Sequence, residues 1–298
     1  MDYLKLFQNH SQYEEFAGGG GMLRPNVSHC VEENEVHYNQ IIHDYSKDYL
    51  TIESLDGGNV IVWGARNLSA VGSAVTKTIS ASTDNGITWT EYTSSTGGTR
   101  IAVLNYGNKL LVKGLNDSYA LNTDPNLCEN GFASTGPYNV SGNIMSMVYG
   151  DLFYGNNILT TRWVFQGLFR RSRLISAENL VLPATTLAER CYSNMFRNCT
   201  SLTTAPELPA ITLANGCYYG MFNGCTSLQT APELPATTLA SECYDGMFAG
   251  CTSLASEAQV PNSVVPIGGD YCGYMYCGCS TERSGNYNVS AYDCYSPK

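Results

Sequence analysis

Apolar and polar positions change rhythm twice along the chain. Over residues 46–150 they alternate with a strand period: Tyr49, Leu50, Thr51, Ile52, Glu53, then Val60, Ile61, Val62, Trp63 beyond a Gly57-Gly58 turn. Further runs at 75–79 and 109–113 have the same period. Period-two alternation broken by turn residues every ~8–12 positions predicts a small β-sandwich. From residue 168 onward the rhythm is different. Leu187, Cys191, Met195 and Cys199 are four apart, and the whole block returns every 26 residues: Cys191, Cys217, Cys243; Met195, Met221, Met247; Cys199, Cys225, Cys251. The four-residue spacing predicts one buried face of a short helix in each unit. The recurring Leu-Pro cannot continue a helix, so a bend and an extended segment should follow. Repetition at this period predicts stacked units, each burying its apolar side against its neighbours. An imperfect unit begins near Leu168-Phe169, and Tyr271, Met275 and Cys279 repeat the offsets of Cys243, Met247 and Cys251 as a degenerate last copy.

The first 45 residues fit neither rhythm. Leu4, Leu6, Phe7, Tyr13 and Phe16 make a short, irregular amphipathic stretch that the glycines at 18–21 interrupt. Two short strands around a Glu-Glu-Asn turn are expected after it. The reading is of a mainly β chain with short helices in three parts: an attachment arm over 1–45, a sandwich-like domain over 46–157, and a repeat solenoid over 158–298.

Composition narrows the function. The chain has 298 residues, a net charge of -10, and only 16 Lys and Arg with no run among them. A nucleic-acid surface needs a basic patch to displace counterions, so none is expected. No apolar stretch approaches the ~20 residues of a membrane helix, and the first residues lack a basic-then-apolar export signal. Of the 12 cysteines, six hold two fixed repeat positions. They are expected to be reduced and to act as small hydrophobes inside the stack rather than as disulfides. Cys272, Cys277 and Cys279 have a spacing that no standard zinc site uses.

Ser82, Asp84, Gly86, Thr88 and Trp89 match S-x-D-x-G-x-T-W, which resembles the Asp-box of sialidases. With a single copy and no arginine set around it, a self-stabilised hairpin is the expectation and not a glycosidase. No paired carboxylates, no nucleophile with its base and no metal cluster stand out. The four histidines, His10, His29, His37 and His43, all lie in the arm. No enzyme activity, cofactor or metal is therefore expected.

The repeat segment Met221-Phe222-Asn223-Gly224-Cys225-Thr226-Ser227-Leu228 resembles the A-F-x-x-C-x-S-L portion of bacterial BspA-type leucine-rich repeats, over about 85 residues and with a slightly longer unit. RPNVSHC, EVHYN, DYSKDYLTIESLDGG, SGNIMSMVYGDLF and SAENLVLPATTLA resemble proteins of gut Bacteroidales and of their crAss-like phages, over most of residues 7–256. That resemblance implies a virion structural protein, a head or tail fibre or appendage. The arm would attach it to capsid or tail proteins, and the repeats would be displayed for host-surface protein or glycan adhesion, as a dimer or trimer. A bacterial surface adhesin of the BspA kind is the alternative. A missing export signal favours the virion, because a phage leaves by lysis. Candidate partner-binding residues are Leu4, Phe7, Tyr13 and Phe16 in the arm. In the repeats they are Arg190, Asn194, Tyr219, Glu242 and Asp245, at positions that vary between copies and should face outward.

Overall fold

The structure, a computed structural model, describes residues 45–67, 76–120, 128–255 and 275. The arm, its four candidate residues and most of the degenerate last copy lie outside the described residues.

Strands form where alternation is expected near 49–53, 60–63 and 109–113, the run expected at 75–79 is displaced to 78–82, and further strands join them: β1 (Leu50–Ser54), β2 (Asn59–Asn67), β3 (Thr78–Ser82), β4 (Thr90–Thr93), β5 (Thr99–Leu104), β6 (Lys109–Gly114), β7 (Cys128–Ser134), β8 (Tyr138–Asn143) and, inside the segment expected to be repeat, β9 (Leu174–Val181). One short helix, α1 (Ser146–Tyr149), follows β8. The fold is mainly β. Six strands form one sheet in the order β4-β3-β6-β1-β8-β9, and three form a second in the order β5-β2-β7. All pairings are antiparallel except β8 with β9. β1 shows the expected alternation, with Leu50 and Ile52 fully buried and Thr51 and Glu53 half-buried. Trp63 of β2 and Phe132 of β7 lie in the same core.

The repeats do not form the short helices that the four-residue spacing predicts. Each carries a chain of turns, at 162–171, 189–198, 215–224 and 241–250. Every fourth residue there has positive φ: Trp163, Gly167, Arg171; Arg190, Asn194, Asn198; Gly216, Gly220, Gly224; Glu242, Gly246, Gly250. A left-handed residue at every fourth position breaks helical geometry and resets the chain. Backbone N–H groups then alternate in direction. In 190–199, Cys191, Ser193, Met195, Arg197 and Cys199 bond to the carbonyl three residues back, while Arg190, Tyr192, Asn194, Phe196 and Asn198 bond to the next unit. Five such bonds join each of the first three units to the following one. The side-chain pattern becomes two inward, two outward. That is why the sequence reads Cys-Tyr-x-x-Met-Phe-x-x-Cys with a period of 4.0 rather than the helical 3.6.

Inside, two columns of stacked rings run through the units. Phe165, Tyr192, Tyr218 and Tyr244 form one, with centroids 5.7 to 6.0 Å apart. Phe169, Phe196, Phe222 and Phe248 form the other, at 5.4 to 5.6 Å. Both begin among the strands: Tyr119 stacks on Phe165, Phe132 stacks on Phe169, and Trp63 contacts both Tyr119 and Phe132. The backbone joins at the same place, through Tyr119 N–H to the Val164 carbonyl (2.8 Å) and Phe132 N–H to the Leu168 carbonyl (2.9 Å). One apolar core therefore runs from Leu50 to Leu254 and Met275, with no break near residue 157. Met275 accepts the Phe248 N–H as Met247 accepts that of Phe222, which matches the register expected of a further copy.

Candidate binding face

Packing leaves two kinds of surface for function: the Asp-box hairpin and the outward positions of the turns. The hairpin joins β3 to β4. The Asp84 carboxylate accepts the Ser82 hydroxyl at 2.6 Å and the Thr88 N–H at 2.9 Å, together with the Thr88 hydroxyl. The Ser82 oxygen accepts the Gly86 N–H at 2.9 Å, and Trp89 Nε1 donates to the Gly86 carbonyl at 3.1 Å. Asn85 and Gly86 supply the left-handed turn at φ 58° and 82°. These bonds, those from Ser82 and Thr88 first, hold the Asp84 carboxyl down at about 2. A carboxylate so fully engaged in its own turn is unsuited to acid–base work at neutral pH.

Beside the hairpin, Lys113 Nζ lies 4.1 Å from the Trp89 ring centroid and 5.7 Å from that of Tyr49. It pairs with Asp151 at 2.7 Å, and Asp151 also accepts the Tyr49 hydroxyl at 2.7 Å. The Lys113 and Tyr49 hydrogen bonds lower the Asp151 carboxyl below its usual range. This cation–π cluster pins the Asp-box to β6 and to Tyr49, the residue before β1, from within the chain.

The inward turn positions are fixed by packing. Cys191, Cys199, Cys217, Cys225, Cys243 and Cys251 are free thiols and all are buried. Three of them also donate across units: Cys199, Cys225 and Cys251 reach the carbonyls of Phe169, Phe196 and Phe222 at 2.9 to 3.1 Å. Burial pushes the Cys191 thiol up to about 12 and that of Cys243 to about 11, and holds Cys217 and Cys225 well above the ordinary thiol range. Burial therefore keeps these four thiols protonated at neutral pH. Among the described residues no group of three or more His, Cys, Asp or Glu is placed to hold a metal ion, and no helix is long and apolar enough to cross a membrane.

The structure brings three of the five repeat candidates together. The Arg190 guanidinium lies 5.0 Å from the Tyr219 ring centroid and reaches the Glu242 carboxylate two units away. It passes over Gly216, where an added Cβ would stand 2.9 Å from Arg190 Cγ. This clamp closes over three units and keeps two non-glycine left-handed residues in place. Arg190 and Glu242 are therefore tied to each other. Asp245 is half-buried at the position equivalent to Tyr219 in the next unit. Asn194 departs from the outward reading. It is 4% exposed, its Oδ1 accepts Arg197 Nη1 at 3.4 Å, and its Nδ2 donates to Ser193 Oγ at 3.1 Å. The neighbouring Ser193 is buried as well.

Sequence reasoning missed a charge band that is plain once the units are aligned. Arg162, Arg170, Arg171, Arg173, Arg190 and Arg197 all fall in the first two units, and no Lys or Arg occurs from 198 to 282. Three of them, Arg170, Arg171 and Arg173, lie within four residues, and Arg190 and Arg197 follow in the next unit. The signal was twofold: the cluster at 170–173 and the absence of basic residues from the later copies. No family model, curated protein or solved structure matches the chain.

Proposed function

We propose that this chain is a bacteriophage virion structural protein: a head or tail appendage that docks through residues 1–45 and displays a BspA-like leucine-rich-repeat solenoid for adhesion to a host-surface glycan or protein. The observation that carries the reading is the division of labour in the turns. The three units from 190 on commit their Cys, Tyr, Met and Phe to one shared core, and the copies differ at positions that face outward in part, such as Glu189, Asn215 and Ser241, or Arg190 and Glu242. A rigid stack with constant inward and variable outward residues suits presentation, not turnover. The resemblance of residues 7–256 to proteins of Bacteroidales and their phages supplies the virion. The engaged carboxylate of the Asp-box and the protonated thiols favour a non-catalytic role.

The test uses phage particles carrying the chain. Mass spectrometry and immunogold labelling of purified virions should find it at fixed stoichiometry, and deletion of residues 1–21 should leave a folded protein absent from the particles. A chain missing from virions and present on the bacterial surface overturns the reading in favour of a cellular adhesin. Full occupancy by the deletion variant refutes the arm as anchor.

A further inference from the structure

Six of the chain's 16 Lys and Arg residues lie between 162 and 197, in a protein whose net charge is -10. Glu178 and Glu189 are the only acidic residues in that interval, so it carries a local surplus of positive charge. Two arginines are already used: Arg162 pairs with Glu189 at 3.9 Å, and Arg190 is committed to Glu242. Among the described residues Arg171, Arg173 and Arg197 make no ion pair. Arg171 and Arg173 are exposed and Arg197 is half-buried. Arg171 and Arg197 belong to adjacent units joined directly, with the Arg171 N–H on the Arg197 carbonyl at 2.9 Å. Arg171 and Arg173 flank the buried Ser172, so both emerge on the outer side of the chain there. These three arginines thus lie on neighbouring stretches of chain, none paired with a carboxylate among the described residues, with Arg197 Nη1 also donating to Asn194 Oδ1 at 3.4 Å.

We propose that this face binds a carboxylated polysaccharide across the first two units, the Arg171, Arg173 and Arg197 guanidinium groups receiving sugar carboxylates. The proposal rests on the display reading above and names the chemistry displayed for. A guanidinium presents a planar donor fork that matches a carboxylate in two parallel hydrogen bonds. Asn198, beside Arg197 and half-buried, offers an amide for neighbouring hydroxyls. The extent of the patch argues for a sparsely charged ligand. Beyond it the described units carry Glu207, Glu233, Glu242 and Asp245 and no basic residue, so a densely charged polyanion laid along the stack would meet like charge. A glycan with carboxylates separated by neutral, hydroxyl-bearing carbons tolerates that boundary.

The experiment measures binding of the full chain to polygalacturonate by calorimetry, with dextran, heparin and duplex DNA in parallel. Saturable binding to polygalacturonate is expected, weakening with added salt and absent for dextran. Arg171→Gln, Arg173→Gln and Arg197→Gln together should weaken it by about tenfold or more. Arg100→Gln on β5, exposed and outside the patch, should leave it unchanged. Thermal unfolding of each variant confirms that the fold survives. No binding by the folded wild-type chain overturns the proposal. So does binding that follows charge density alone, tightest for heparin or DNA, and so does a triple variant that binds as wild type. Failure here leaves the chain's place in a particle untouched, because virion incorporation is read separately.

Discussion

At the residue scale, Phe222 shows what the repeats depend on. Its ring is fully buried between Phe196 and Phe248, at centroid distances of 5.4 and 5.6 Å. Phe222→Ala should cost about 3–5 kcal/mol, because the rings on either side are held by their own backbone bonds and cannot close the gap. Urea denaturation of the variant against wild type checks this; a loss under about 1 kcal/mol would show a site that collapses freely. Gly220 gives the complementary case. Its φ is +57°, and an added Cβ would stand 2.7 Å from Asn194 Oδ1. Gly220→Ala should cost about 1–2 kcal/mol from the left-handed backbone alone. The burial of Phe222 was legible in the sequence, since a ring at a fixed place in every copy is a core ring. The left-handed role of residue 220 was not. Its own equivalents are Gly167, Asn194 and Gly246, but the other left-handed positions also hold Arg, Glu and Trp, so no single residue type marks the series.

At the element scale, the Asp-box hairpin was read correctly and the repeat turn was not. Ser82, Asp84, Gly86 and Trp89 act within eight residues of one another, so a local motif could reveal the geometry. The repeat turn takes half its backbone bonds from units 25 or 26 residues away, which local periodicity cannot see, and a period of 4.0 is close enough to 3.6 to pass for a helix over nine residues. The hairpin carries a pH prediction. Asp84 is lowered from 3.8 to about 2. A group whose folded value is depressed contributes stability above its unfolded value, and that contribution is lost as pH falls through the folded one. The hairpin should therefore hold its structure at pH 5 and loosen between about pH 4 and 2. Tryptophan fluorescence of the chain with and without Asp84→Asn reports it through Trp89. A wild-type transition in that window that Asp84→Asn leaves unmoved would assign the acid sensitivity to another group.

At the scale of the whole molecule, the sequence divides the chain near residue 157, and the ring columns cross that line. Trp63 sits where the Tyr119 and Phe132 columns meet, and from there both run on into the repeats. β9 pairs with β8 on one side, and on the other Ser176 bridges to Thr204 of the next unit. The sheets therefore meet the first repeat turns directly, through Tyr119 and Phe132, and that link was invisible in the sequence because Tyr119 and Phe132 belong to no repeat. Stacked arrays gain stability from each interface, so coupling across a junction decides whether the parts melt together. With aromatic stacking and backbone bonds both continuous here, residues 45–255 should unfold in one calorimetric transition whose van't Hoff enthalpy equals the measured one. Trp63→Ala removes the ring common to both columns and should lower the melting temperature of the sheet and repeat signals by the same amount. Near-ultraviolet dichroism follows the tertiary packing, and hydrogen exchange at the Tyr192 and Tyr218 amides follows the repeats. If those amides keep wild-type protection while the sheets melt early, the junction is a seam between independent domains and the single core is a matter of contact without coupling.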